Sequence, residues 1–187
     1  MLRFILLLSL GLLTACSTPK VAKIKYQEIY DFNQVKSYSL YPRDHGFNDW
    51  QPINDALRND IVLAIEKSLD GQGYQYANSG ESDIVITYFL VGNSAKSYKR
   101  YNNGVNYCSY CLVYGSSGSR ADSLNVTAGS IILDAVDVKT KRSIWRSSYP
   151  LKIKVKDNSQ KVQAKIHEVI AAMLNKLPKD KMPKVRS

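Results

Sequence analysis

Two segments of the chain carry apolar residues at the spacing of an amphipathic helix. From Ile53 to Leu69 an apolar residue recurs every four positions, and Gly71 or Gly73 follows where the helix is predicted to end. Between Asn158 and Pro178 a second apolar stripe has the same period. Because each stripe occupies one side of its helix, both helices are predicted to pack on a sheet.

The remaining apolar pattern predicts that sheet. Residues 24–41 are predicted to form two strands, broken near Asn33–Gln34. Segment Asp83–Val91 is apolar on both faces, which is typical of a central strand. Val126–Val138 and Ser143–Val155 are predicted as two long strands of a hairpin. We therefore expect one α+β domain, a mostly antiparallel sheet with two amphipathic helices packed on one face.

A tyrosine-rich stretch follows the predicted central strand. Asn103–Gly104 is a two-residue hairpin signal, and it places Cys108 and Cys111 on the second arm of a predicted hairpin. Tyrosine gives large contact area at small entropic cost, which favours a recognition face, although it is also a good strand former that packs in sheets. The candidate binding surface consists of Tyr98, Tyr101, Tyr107, Tyr110 and Tyr114.

The N-terminus has the pattern of an export signal. A positive charge at Arg3 precedes an apolar run from Phe4 to Leu13, well short of the roughly 20 residues that span a membrane. The run ends in Leu13-Thr14-Ala15-Cys16, which resembles the lipobox of bacterial lipoproteins, whose cysteine receives a diacylglyceryl group. We expect residues 1–15 to be removed as a signal peptide and Cys16 to carry the lipid anchor.

The residue after the cysteine predicts the destination. In the lipoprotein sorting rule that this segment resembles, an aspartate there favours the inner membrane, whereas this chain has Ser17. We therefore expect a lipid-anchored protein of the outer membrane that faces the periplasm. Residues 16–23 are predicted to be the lipidated tether, 24–178 the periplasmic domain and 179–187 a basic tail.

The two other cysteines predict a disulfide. Once Cys16 is lipidated, Cys108 and Cys111 remain as an even pair in a compartment that oxidises thiols. The ring between them is small, so the expected role of the bond is to fix the shape of one loop.

Charge narrows the class of partner. The formal net charge is +10, spread along the chain. An exported basic protein meets envelope proteins and anionic envelope polymers, and we expect these rather than nucleic acid as partners. The alternative is that the lysines are solvated faces that keep the domain soluble.

Short motifs occur in an order that resembles a known family. After the lipobox come Ser37-Tyr38-Ser39-Leu40, Ser82-Asp83-Ile84-Val85-Ile86, a strand running from Gly129 to Asp134, and Ile144-Trp145-Arg146. This order is similar to the bacterial lipoprotein family catalogued as domain of unknown function 4136. The resemblance implies an antiparallel sheet with helices on one face and no established catalytic residues. The cysteine pair and the lysine-rich tail depart from it.

The residues that could support catalysis are few. His45 is in a predicted turn and His167 is in the last predicted helix, where packing is the expected role. Asp134 and Asp137 are three residues apart on a strand, which puts them on opposite faces. We expect one to be exposed and the other to accept hydrogen bonds from a turn, so no catalytic residue is predicted.

The cysteine pair offers two further chemistries. A zinc site needs about four ligands, and Cys108 with Cys111 supplies two, so neither a metal nor a cofactor is expected. Redox activity requires Cys-x-x-Cys at a helix start, whereas this pair is predicted in a strand or loop. The expected function is a non-catalytic structural or adaptor role through protein contacts. The alternatives are an accessory lipoprotein regulating a cell-wall synthase, secretion or transport machine, and a thiol–disulfide redox protein using Cys108 and Cys111.

Overall fold

The long apolar segments form the centre of one mixed sheet. The computed structural model describes residues 21–41, 51, 53–92, 94–114, 126–151, 153 and 158–179. In these ranges the strands are β1 (Lys23–Tyr26), β2 (Ser37–Leu40), β3 (Gln75–Tyr76), β4 (Ile84–Leu90), β5 (Val113–Tyr114), β6 (Ser130–Asp137) and β7 (Arg142–Pro150). Their spatial order is β3-β2-β4-β6-β7-β1-β5.

Most strand pairs are antiparallel, as predicted, but β2 is parallel to both β3 and β4. The break predicted near Asn33–Gln34 is a short 3-10 turn at Phe32–Gln34. The α+β class and the single domain are confirmed, with a sheet that is mixed at one edge.

Three helices accompany the sheet in the described ranges: α1 (Asp55–Asp70), α2 (Ala95–Gly104) and α3 (Ser159–Leu174). Each begins at a polar cap whose side chain accepts a hydrogen bond from a backbone N–H of the first turn, which satisfies a donor that the helix itself leaves free. The caps are Asn54, Ser94 and Asn158. None of the helices in this part of the chain is long and apolar enough to cross a membrane.

The two faces of the sheet carry different cores. On one, which we call the helical face, α1 and α3 pack against β4, β6 and β7, with Ile65, Ile170 and Trp145 fully buried. On the other, which we call the ionic face, a smaller cluster gathers around Phe89 and Tyr101 beneath α2. Burial of apolar area is the main stabilising contribution on the helical face.

The tyrosine-rich stretch differs from its prediction. Asn103–Gly104 is the C-terminal end of α2, not the turn of a hairpin, and Cys108 and Cys111 lie in a turn before the short strand β5. The predicted signal peptide at 1–15, Cys16, His45 and the tail at 180–187 lie outside the described residues.

Candidate functional site

A row of polar residues crosses the ionic face of the sheet. In register, Thr87 pairs with Asp134, Asp134 with Arg146, and Arg146 with Lys25. Directly paired residues on antiparallel strands project to the same face. All four side chains are buried, and Asp134, Arg146 and Lys25 are fully enclosed. Charged side chains therefore occupy a buried layer that apolar side chains usually occupy.

Asp134 and Arg146 form a buried ion pair. The Arg146 Nε–H donates to both carboxylate oxygens of Asp134, at 2.8 and 3.1 Å. The Tyr101 hydroxyl donates to Oδ2 at 2.7 Å, and the Ser143 hydroxyl donates to Oδ1. Burying charge is costly unless the charge is paired and hydrogen-bonded, and Asp134 meets both conditions.

A β-bulge brings Ser143 and Arg146 to the same carboxylate. Ser143 pairs with Val136 and Trp145 with Ala135, so Ile144 is an extra residue in β7. In a regular strand, residues three apart point to opposite faces. The bulge adds one residue and re-aims the side chains after it, so that both Ser143 and Arg146 reach Asp134.

Arg146 also holds the C-terminal end of α2 over the sheet. Its Nη1 donates to Asn102 Oδ1 at 2.7 Å, and its Cζ lies 3.5 Å from the centroid of the Tyr107 ring. This is the geometry of a cation–π contact in a site shielded from water. The residue before Asn102 in α2 is Tyr101, whose ring stacks on Phe89 with centroids 4.7 Å apart.

The electrostatics fix the protonation of this cluster. Burial alone lowers the pKa of Arg146, but the adjacent Asp134 charge outweighs that effect and raises the pKa above the usual arginine range. Burial together with the Asp134 charge raises the pKa of Tyr101 well above its ordinary value. Arg146 therefore remains a cation and Tyr101 a neutral hydrogen-bond donor.

The chain leaves α2 through a Schellman turn. Asn106 has a positive φ of 46°, the Asn106 N–H donates to the Asn103 carbonyl, and the Tyr107 N–H donates to the Asn102 carbonyl. The turn is joined to the β6–β7 hairpin, because Asn106 Nδ2 donates to the Lys141 carbonyl at 2.8 Å. The position of Tyr107 above Arg146 is thus set by backbone geometry.

The predicted disulfide between Cys108 and Cys111 is confirmed, with Cα atoms 5.2 Å apart. The Cys111 N–H donates to the Cys108 carbonyl at 3.2 Å, which closes a tight turn. The pair follows the C-terminal end of α2, which is the negative end of the helix dipole. Thiolates are stabilised at helix N-termini, so this position disfavours thioredoxin-like chemistry.

The five tyrosines of the predicted surface are not gathered on one face. Tyr101 is fully buried and belongs to the core, which corrects its assignment to a surface. Tyr98 and Tyr107 are half-buried against the ionic face. Tyr110, in the disulfide turn, is 78% exposed. Tyr114 pairs with Lys25 at the edge of the sheet.

The two aspartates of β6 lie on opposite faces, as predicted. Asp137 accepts hydrogen bonds from the Thr140 N–H and hydroxyl and from the Tyr30 hydroxyl, so it does bind a turn. The expectation that the other aspartate is exposed is wrong, because Asp134 is fully enclosed. Within the described ranges no three His, Cys, Asp or Glu side chains are placed to hold a metal ion.

The fold and the enclosed ion pair define a small α+β domain with a buried ionic cluster beneath α2. The family model described as domain of unknown function, DUF4136, matches residues 22–179. The chain therefore belongs to the DUF4136 family. No curated protein matches the sequence.

The chain is similar to several solved structures at low sequence identity. A DUF4136 family protein from Bacteroides thetaiotaomicron is 13% identical with a TM-score of 0.53, and the match covers 83% of this chain and 94% of that one. A PDZ domain protein from Parabacteroides distasonis is 15% identical with a TM-score of 0.49, and the match covers 88% of this chain and 37% of that one. The PelC dodecamer from Paraburkholderia phytofirmans is 9% identical with a TM-score of 0.42, covering 83% and 97%.

Proposed function

We propose that this protein is a lipid-anchored, non-catalytic component of the bacterial outer membrane, with a structural or adaptor role through contacts with other envelope proteins. The anchor rests on the sequence: a short apolar run ending in Leu13-Thr14-Ala15-Cys16, followed by Ser17. Lipid on Cys16 would keep the domain at the membrane surface, because two or more acyl chains bind a bilayer stably.

The observation that carries a non-catalytic role is the enclosure of the polar cluster. Asp134, Arg146 and Tyr101 have no exposed surface, and their hydrogen bonds are made to one another and to neighbouring protein groups. Groups so enclosed do not reach a substrate. They hold the C-terminal end of α2 above the sheet, and so they fix the shape of the surface formed by the residues that follow α2.

In the described part of that surface, one large aromatic side chain is exposed. Tyr110 lies between the two cysteines of the disulfide turn and is 78% exposed. Rigidly held tyrosines are favoured anchors of protein interfaces, because little conformational entropy is lost when they are buried. This supports protein contacts made through the disulfide turn.

The anchor is tested by metabolic labelling of cells that express the full chain with an alkyne fatty acid. We expect label on the wild type and its recovery with the outer membrane. A Cys16→Ser variant should lose the label and the membrane association, and a Cys108→Ser/Cys111→Ser variant should keep both. Label that survives Cys16→Ser would contradict the anchor.

The adaptor role is tested by placing a photo-crosslinking amino acid at position 110 of the full chain in cells. The matched control carries it at position 63, because Leu63 is 52% exposed on the outer side of α1. We expect a discrete envelope-protein adduct from position 110 and not from position 63. Equal adducts from both positions, or none from position 110, would contradict contacts through the disulfide turn.

A further inference from the structure

An open pocket of about 540 Å³ lies beside the disulfide turn. The C-terminal turn of α2 contributes Asn102, Asn103, Asn106 and Tyr107, and the β6–β7 turn contributes Arg142 from the other side. Its volume is in the range of pockets that bind small ligands, which is roughly 300–1,000 Å³. The lining residues therefore include three asparagines and one arginine.

The walls are held in place by contacts already formed behind them. Asn102 Oδ1 accepts from the buried Arg146, and one face of the Tyr107 ring lies against the same guanidinium. Asn106 Nδ2 donates to the Lys141 carbonyl, which connects the end of α2 to the β6–β7 turn. A pocket fixed in this way loses little conformational entropy when a ligand binds.

Hydrogen-bonding capacity remains on the pocket side. With Asn102 Oδ1 bound to Arg146, its Nδ2 amino group is left as a donor, and Asn106 keeps its Oδ1 as an acceptor. Within the part of the chain that the structure describes, the Arg142 guanidinium and the Asn103 amide have no side-chain partner. Arginine binds a carboxylate through two parallel hydrogen bonds, and amides bind hydroxyl groups as donor and acceptor together.

The charge around the pocket is positive. Lys139, Lys141 and Arg142 are exposed on the β6–β7 turn. The nearest carboxylate on the same turn, Asp137, is directed to Thr140 and Tyr30 and does not line the pocket. Clustered charge of one sign at a concave site favours a ligand of the other sign.

We propose that this pocket binds a carboxylate-bearing sugar, such as a uronic acid unit of an envelope polysaccharide. Arg142 binds the carboxylate, the asparagine amides bind ring hydroxyls, and the exposed part of the Tyr107 ring contacts the apolar C–H face of the sugar. Cys108 of the disulfide ring also lines the pocket, but Tyr110 does not, so sugar binding is separate from the protein contacts proposed for Tyr110.

The test is calorimetric titration with a hexamer of galacturonic acid of the protein purified from the membranes of bacteria that express the full chain and held in nanodiscs. We expect saturable binding that weakens at high salt, since exposed charges contribute. Arg142→Gln should weaken binding about tenfold or more, because it removes a charge-assisted bidentate contact. Asn103→Ala should weaken it about threefold, the loss of one neutral hydrogen bond.

Controls separate a site from general electrostatic attraction. Lys67→Gln removes one positive charge from exposed α1, and Asn175→Ala removes one exposed amide at the end of α3. Both should bind the hexamer as the wild type does. Equal weakening by Lys67→Gln and Arg142→Gln would overturn the site, as would the absence of binding.

Three further probes define the ligand class. A neutral glucose hexamer should bind at least tenfold more weakly than the uronic acid hexamer, and equal binding would overturn the carboxylate assignment. Glucose 1-phosphate or inorganic phosphate binding more tightly than the hexamer, with the same dependence on Arg142, would overturn the sugar acid in favour of a phosphate. Thermal unfolding of each variant confirms that a loss of binding is not a loss of fold.

Discussion

The two faces of the sheet are stabilised by different physical means. On the helical face, two 16-residue helices bury apolar side chains such as Ile65 and Ile170 in a continuous core. On the ionic face, the ten-residue α2 is held by an ion pair, hydrogen bonds and a cation–π contact centred on Arg146. Apolar packing is non-directional, whereas hydrogen-bonded networks require specific atoms at specific positions.

The difference shows why a small helix needs a buried charge. An isolated helix of fewer than about 12 residues is marginal in water, and α2 buries one residue, Tyr101. Helix α2 has few buried apolar side chains to hold it on the sheet. Arg146 holds it instead, because its contacts with Asn102 and Tyr107 fix the end of the helix. We therefore expect the ionic face to depend on a few residues and the helical face on many.

The largest effect should come from Asp134→Ala. Removing the carboxylate leaves Arg146 enclosed without a counter-charge and takes away the acceptor of the Tyr101 hydroxyl. Breaking a buried ion pair in this way costs about 3–5 kcal/mol of unfolding free energy. Urea denaturation followed by far-ultraviolet circular dichroism measures the loss.

The double variant Asp134→Leu/Arg146→Met tests whether the pair acts as a unit. Replacing both partners with apolar residues removes the uncompensated charge, so the combined loss should be smaller than the sum of the single losses by about 1 kcal/mol or more. Strictly additive losses would contradict the ion pair as the organising contact of the ionic face.

A pair of tyrosines compares the two faces directly. Tyr101 donates to the enclosed Asp134, and Tyr38, on the helical face, donates to Asp70, which is exposed. Tyr101→Phe leaves a buried carboxylate short of one donor and should cost about 2 kcal/mol, whereas water can replace the Tyr38 hydroxyl at Asp70. Tyr38→Phe should therefore cost less than half as much in the same denaturation experiment, and equal losses would contradict the comparison.

The sequence predicts the helical face well and the ionic face poorly. Helices α1 and α3 were predicted because their apolar stripes are regular and long, and apolar area is what that face buries. Helix α2 was missed because Asn103–Gly104 has the residues of a hairpin turn and tyrosine favours strands. The local signal for the helix was a single cap, Ser94, since its other determinants are contacts with distant residues.

The pairing of Asp134 with Arg146 was missed for a geometric reason. The hairpin begins with Asp137 opposite Arg142, and regular pairing from there puts Asp134 opposite Trp145. The bulge at Ile144 shifts the register by one, so Arg146 faces Asp134 instead. The alternation of apolar and polar residues along a strand does not reveal such a shift in register. The disulfide could be predicted, because it followed from an even count of cysteines in an oxidising compartment.

The disulfide should have a local effect that separates the two faces. Cys108→Ser/Cys111→Ser should cost about 1–2 kcal/mol, at the low end for disulfides because the ring is small. Amide hydrogen exchange measured by mass spectrometry should become faster in α2 and β5 and stay unchanged in α1 and α3. Faster exchange throughout the chain would show that the bond stabilises the whole domain and not the ionic face alone.

The smallest effect concerns Asp83, an exposed counterpart of Asp134. It accepts hydrogen bonds of 2.9 Å from the Lys36 N–H and from the Ser37 N–H and hydroxyl, which join the starts of β2 and β4. Burial raises its pKa, but these hydrogen bonds outweigh burial and lower the pKa below the ordinary 3.8.

The lowered pKa of Asp83 makes the stability of the fold depend on pH. It stabilises the fold at pH values above the ordinary pKa, and that contribution is lost as the pH falls through the folded-state pKa. Asp83→Asn should therefore lower the unfolding free energy by about 0.5 kcal/mol at pH 7, and the difference from wild type should shrink as the pH falls below 3.8 and vanish once it is below the folded-state pKa. Urea denaturation repeated from pH 7 to pH 2 measures this difference, and a constant Asp83→Asn deficit over that range would show that its charge is not what these hydrogen bonds require.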